Sequence, residues 1–273
     1  IIMTIVDLNY LDTIKDWYIV NPFVIGGYRK PRPPNEAFLS IFEWHNETLN
    51  IYSHLLPGLI WLYMLFSCVN NDYFIHSDLI TQYIIRYAYF SASFVCLASS
   101  FAHTFNIVDR RWSHISWNLD FTGIIVINLS HQILDSFILF KVINKSSQIF
   151  QISLLLELLF ALYCINDIIN ENKIWKILYP IISSTILTFP VVWYSFKSNN
   201  ILLREVSLYS LECSLFIFIA GGFFFIGKIP ERLWNPEGIF NNFNSHVWHH
   251  LFIVSSIIVA FRALPFLHLI VSN

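Results

Sequence analysis

Residues Ile84 to Phe105 read IIRYAYFSASFVCLASSFAHTF. Beyond Arg86 this stretch carries no Asp, Glu, Lys or Arg. Coiled as an α-helix at 1.5 Å per residue, it is about 33 Å long, enough to cross the roughly 30 Å hydrocarbon core of a bilayer. A water-soluble helix would need a charged face, and none is available here. Six comparable runs accompany it. They are Ile51 to Val69, Leu119 to Phe140, Phe150 to Asn166, Ile174 to Phe196, Val206 to Ile226 and Val247 to Ile270. The fourth in chain order, from Phe150, is the shortest. The fold class expected is therefore all-α: a polytopic membrane protein with seven transmembrane helices packed as sequential neighbours.

The composition agrees. Of 273 residues, 56% are hydrophobic and 12% charged, about half the charge of an ordinary soluble domain. Aromatic residues make up 18%, which suits a lipid-facing surface bordered by Trp and Tyr. The net charge of −2 leaves no basic footprint for nucleic acid. No basic stretch followed by an apolar core opens the chain, so the first long apolar run is expected to act as its own insertion signal. Cys68, Cys96, Cys164 and Cys213 all lie in or beside apolar runs without metal-ligand spacing, and are read as packed membrane residues.

Residues 1–50 form a separate head. Gly26-Gly27 and Pro31 to Pro34 mark irregular chain. Asn35 is expected to cap a short helix with Phe38, Leu39, Phe42 and Trp44, lying flat at the membrane interface. Residues 51–273 form the seven-helix domain. Basic residues set orientation. With the head cytosolic, Lys15, Arg29, Lys30, Arg32, Arg110, Arg111, Lys173, Lys176, Lys228 and Arg232 fall inside, ten against six on the other side. The expectation is a cytosolic N-terminus.

That topology gathers particular polar residues. His103 ends the second span, Asp120 opens the third, and His246 and His250 open the seventh, all at one depth on one face. His246 and His250 stand four apart, on one side of a helix, at the spacing of paired imidazole ligands. Zinc takes nitrogen ligands, and a catalytic zinc typically keeps three protein ligands and an open position. His103, His246 and His250 make three. Asp120 is placed to hold water or take its proton, and Ser99 lies one turn before His103. His249, three residues after His246, is a competing ligand. A single His at a span end more often snorkels to the interface or bonds a neighbour. His45, His76, His114 and His268 are read that way. His54, opening the first span, is read as a cap or headgroup contact, with lining the cavity as the alternative, and His131 as a helix–helix bond. Among intramembrane carboxylates, Asp135, Glu157 and Glu212 stand out. Asp135 is four turns from Asp120 and outside the site, and Glu157 has no partner assigned.

Several blocks then resemble a known family. They are Gly27-Tyr28-Arg29, SIFEWHNETLNIYSHLLPG from Ser40, SSFAHTF ending the second span, LDFTGI opening the third, and GKIPERLWNPEGIF followed by SHVWHH. Together they resemble the progestin and adipoQ receptor superfamily, which includes adiponectin receptors, plant heptahelical proteins, fungal Izh-type proteins and haemolysin III-like proteins. The HNETLNIYSHL block is especially similar to the fungal and plant branches. The resemblance runs from about Gly26 to His250.

It implies seven helices, a cytosolic N-terminus and Zn2+ held by His103, His246 and His250. The family's SxxxH falls on Ser99 and His103, its Asp on Asp120, and its SHxxxH selects His250 over His249. It further implies a zinc-dependent hydrolase or receptor acting on the amide of ceramide-like lipids, in lipid and zinc homeostasis. The competing implication is a non-catalytic receptor or sensor for a steroid, lipid or protein, with a structural zinc. Partners expected are membrane lipids, with a ceramide or sterol as ligand, self-association left open, and a plasma-membrane or endoplasmic-reticulum location. The chain departs from the family in the extra His249 and in a short tail after Arg262.

Overall fold

The computed structural model describes residues 17–18, 21–24, 26–70, 72–143, 148–169, 199–234, 242–265 and 267, with scattered positions between 178 and 197. Among the described residues there are helices and no strand. We number them α1 (Pro34–Leu39), α2 (Thr48–Ser67), α3 (Asp72–Ile75), α4 (Leu79–Phe105), α5 (Arg110–Ile143), α6 (Gln148–Ile169), α7 (Ile201–Phe218) and α8 (Ser245–Phe261). A π-helix, Ile219–Ile226, continues α7. It closes on Lys228, whose φ of 53° is the left-handed ending usually given to Gly.

Four stretches are long and apolar enough to cross a membrane: Thr48–Asn70, Leu79–Phe105, Arg110–Ile138 and Ile201–Ile226. Shorter apolar helices cover Leu155–Ile165 and Ser245–Phe261. The expected fifth run, Ile174 to Phe196, and His268 lie largely or wholly outside the described residues. The membrane character therefore stands, with six of the seven runs seen as helix.

Helix ends differ from the apolar runs because caps set them, not hydropathy. The Asp78 side chain accepts from the Thr81 amide at 2.8 Å, so α4 begins five residues before Ile84. Asn200 caps α7 by accepting from the Leu203 amide at 3.2 Å. Asn244 caps α8 by accepting from the His246 amide at 3.0 Å. Asn35 does not cap α1. Pro33 stands at the cap without a side-chain bond, and Pro34 takes the first turn, where its missing N–H costs nothing. Phe38, Leu39, Phe42 and Trp44 are all more than half exposed, the outward apolar surface expected of an interfacial segment.

The bundle centres on α4, which packs against α2 and α5, while α8 closes the ring against α7 and α2. Small residues allow the close approaches. A Cβ on Gly123 of α5 would lie 2.8 Å from Val95 Cα on α4. At Gly58 of α2 it would lie 2.9 Å from Leu97 Cδ2. Next to Gly58, Pro57 interrupts the helical ladder, and the Ser93 hydroxyl donates to the Gly58 carbonyl at 3.0 Å. Outer faces of α2 and α6 present Leu59, Ile60, Phe66, Leu155, Leu159 and Leu162, as lipid contact requires. All four cysteines are free and buried.

Candidate metal centre

The first turns of α8 and the last turn of α4 meet at one end of the bundle. Ring centroids of His103, His246 and His250 form a near-equilateral triangle, with sides of 4.8, 4.9 and 4.6 Å. One ligand nitrogen from each lies within 4.8 Å of the others. His103 Nε2 stands 3.1 Å from His246 Nε2. A tetrahedral ion with bonds of 2.0–2.1 Å needs nitrogens about 3.3 Å apart, so this pair already has the spacing of a shared cation.

The outer nitrogens are tied down. His103 Nδ1 meets Glu47 Oε2 at 2.7 Å. Since a carboxylate accepts, Nδ1 carries the proton and the Nε2 lone pair faces the centre. His250 Nδ1 lies 3.2 Å from the Asn50 carbonyl and 2.9 Å from Ser53 Oγ. The carbonyl likewise holds the proton on Nδ1. This is the outer support that metal-ligating imidazoles usually have.

Glu47 stands just before α2 and is buried. Asn50 donates to its Oε2 at 2.7 Å and Asn46 to its Oε1 at 3.3 Å. Burial works to raise its carboxyl, but the facing His103 imidazole and these hydrogen bonds hold it down at about 2. Arg29 secures the helix end that bears His103. It is buried, and its guanidinium donates to the carbonyls of His103 at 2.6 Å and Thr104 at 3.2 Å, and to Ser40 Oγ at 2.7 Å. A cation is well placed at a helix C-terminus. Being buried, Arg29 is not a free charge for the orientation count. At the start of α8, Glu231 accepts from the Ser245 amide at 2.7 Å and from Asn21 at 2.7 Å, and bonds the Ser245 hydroxyl.

The remaining sequence candidates fall as follows. Ser99 is buried one turn before His103. Asp120 is half-buried on α5, three residues beyond Trp117, whose ring edges His103 at 5.1 Å. His249 stands outside the triangle, its Nδ1 3.0 Å from the Ala220 carbonyl in the π-helix.

Two histidine readings change: His54 takes its cavity-lining alternative, and His45 is not interfacial. His54 is buried and stacked 3.8 Å from His250, at 14° between planes, so it walls the centre. It lies nearly two turns into α2, too deep for a headgroup contact. His45 is buried, 3.1 Å from the Ser40 carbonyl, and burial with the nearby Arg29 charge pushes it down to about 3. Its loop folds inward over the bundle instead of outward. His76 and His114 are exposed as expected. Glu157, without a partner in sequence, accepts from Tyr179 at 2.9 Å and Ser183 at 2.6 Å. Glu47, Arg29 and Glu231 escaped sequence reading. The available signal was a carboxylate between polar residues immediately before an apolar run, in His45-Asn46-Glu47-Thr48.

Comparison with known proteins matches this architecture. A family model described as haemolysin-III related covers residues 42–261, which include the whole triangle. The ADIPOR-like receptor IZH2 of Saccharomyces cerevisiae is 30% identical over 42% of this chain and 37% of its own length. Membrane progestin receptor gamma of Mus musculus is 34% identical over 40% of this chain. That match spans 33% of the mouse protein, so the chain covers about a third of each of these relatives. Heptahelical transmembrane protein 1 of Arabidopsis thaliana is 22% identical over 86% of this chain and 73% of its own length. With 220 residues matched end to end, apolar spans and a helical bundle, the chain belongs to the haemolysin-III-related family of integral membrane proteins, within the progestin and adipoQ receptor superfamily.

Proposed function

We infer that the chain is a zinc-dependent membrane amidohydrolase acting on ceramide-like lipids. The observation that carries this reading is the convergence of three imidazoles whose outer nitrogens are already engaged at His103 and His250. Three neutral nitrogen donors suit zinc and leave a fourth position free. Zinc held by His103, His246 and His250 supplies Lewis acidity, polarising a carbonyl and acidifying water.

The chain's own residues supply the rest. Asp120, about three turns into α5 because that helix begins at Arg110 instead of Leu119, takes a proton from the attacking water as general base. Ser99 donates to the substrate carbonyl or hydroxyl from inside α4. Glu47 keeps His103 in the Nδ1–H tautomer, and Arg29 holds the turn in place. The water oxygen bonds to the amide carbon, the C–N bond breaks, and the proton passes to the leaving amine. A fatty acid and a sphingoid amine result. The count of basic residues supports a cytosolic N-terminus for a protein of the plasma membrane or endoplasmic reticulum, with the centre on the cytosolic side.

The test is release of fatty acid from ceramide by purified protein in lipid. His103→Ala and Asp120→Asn are each expected to abolish it. Equal turnover by wild type and both variants removes the hydrolase reading.

A receptor or sensor with structural zinc is the second reading, favoured by the receptor names of the yeast and mouse relatives. Stoichiometric zinc without single-turnover hydrolysis would select it.

A further inference from the structure

A second polar cluster lies in the other half of the bundle. Along α5, Asn128, His131 and Asp135 follow Asp120 by about 12, 16 and 22 Å of helical rise. They face Ser210 and Cys213 of α7, and Ser256 of α8 adjoins them. The Ser210 hydroxyl donates to Asp135 at 2.8 Å, and Cys213 Sγ lies 3.8 Å from His131 Nδ1.

Two adjoining cavities, of about 30 and 20 Å³, run through this cluster. Asn128, His131 and Ile217 line both. Asn128 and His131 are 4% and 9% exposed, yet Asn128 Nδ2 and His131 Nε2 meet no hydrogen-bond partner among the described residues. A buried donor or acceptor left unpaired is costly, and more so in a membrane, where lipid offers no substitute. A cavity needs roughly 10–15 Å³ to take one water, so both are large enough.

The polar surfaces follow one another in order through the bundle. Arg262, about 18 Å of rise beyond His250, pairs with Glu212 at 3.5 Å and sits 5.9 Å from the Tyr209 ring. Both charged side chains are substantially exposed on the outside of the bundle, at the end away from the three histidines. Tyr209 lines the first cavity beside Asp135 and Ser210. The second cavity ends on Val95, Ile124 and Ile253. Those three lie one turn from Ser99, Asp120 and His250 on their respective helices, an apolar collar between inlet and centre.

We propose that α5, α7 and α8 enclose a hydrated inlet, which takes water from the membrane face opposite the metal centre and carries it to within one turn of Ser99, Asp120 and His250. Its ligand is water, held by Asn128, His131, Asp135 and Ser210. A centre fed with lipid from the bilayer needs such a supply if it hydrolyses, but the inlet itself is detected without turnover.

X-ray radiolytic hydroxyl labelling in lipid nanodiscs tests it, because oxygen is added where water touches a side chain. Cys213 lines the inlet, whereas Cys96, fully buried in the apolar core, serves as the internal control. Cys213 is expected to label roughly tenfold faster than Cys96, as a thiol beside ordered water should. The double variant Asn128→Leu/His131→Leu is expected to bring Cys213 down to the Cys96 rate with unchanged metal content. If that pair fails to fold, Ile217→Phe, which fills both cavities, serves instead. Labelling of Cys213 no faster than Cys96, or unchanged by the plugging variant, overturns the inlet. Loss of ceramide hydrolysis in wild type would leave this result untouched.

Discussion

The two polar clusters of this bundle differ in how their key imidazoles are supported. Around the three histidines, two outer nitrogens are engaged by Glu47, Asn50 and Ser53, and Glu47 is itself held by Asn46 and Asn50. Around Asn128 and His131, side-chain atoms have no partner among the described residues and lie beside open volume. In the first cluster the ligand-supporting bonds form a chain in which removing one member orphans the next, although His54, Asn46 and Asn50 keep side-chain atoms without a partner among the described residues. The second has room for solvent, so its members can be exchanged for apolar ones with small loss. Rigidity suits a site that must hold three nitrogens for one cation, and spare volume suits a passage.

The largest expected effect comes from the triangle itself. His103→Ala or His246→Ala should lower bound metal from one ion per chain to none, as read by elemental analysis. His249→Ala should leave it at one, because that ring is engaged by Ala220. Retention of metal in both triangle variants would erase the contrast between the clusters.

Next is Glu47→Gln. Loss of a ligand-supporting carboxylate weakens metal affinity by about 10–100-fold, measurable by chelator competition. Its pH dependence has a definite sign. The folded Glu47 carboxyl sits at about 2 against an ordinary 4.5, so its stabilisation is complete above 4.5 and is lost as pH falls through about 2. Melting temperatures of metal-free wild type and Glu47→Gln should therefore converge over that interval.

A matched pair sharpens the comparison further. Asn50→Leu removes a donor to Glu47 and is expected to cost about 1–3 kcal/mol, since a buried charge is left short of a partner. Asn128→Leu should be near neutral in the same melting experiment. Similar losses in both would mean that the second cluster is as tightly bonded as the first. Gly123→Ala belongs with the costly member of the pair, since its added carbon meets Val95 Cα at 2.8 Å. Overpacking of this kind typically costs about 1–3 kcal/mol.

Much of the molecule was legible along the chain. Twenty-residue runs without charge have few alternatives to spanning helices, because backbone polar groups in lipid must bond within their own segment. The i,i+4 pair His246 and His250, and the position of His103 at a span end, follow from helix geometry and span direction. Helix ends were less legible, since Asp78, Asn200 and Asn244 set them by single hydrogen bonds that hydropathy does not register.

Sequence by itself determined a helical membrane protein and the depth at which three histidines lie, because both depend on local periodicity and on the thickness of a bilayer. Only the tertiary structure decided that His54 stacks on His250, that Glu47 orients His103, that Arg29 reaches back to the end of α4, and that His249 turns away to the π-helix. Those choices depend on rotation about helix axes and on contacts between residues as many as 200 positions apart. Periodicity gives a residue its height in the membrane; packing gives it a neighbour.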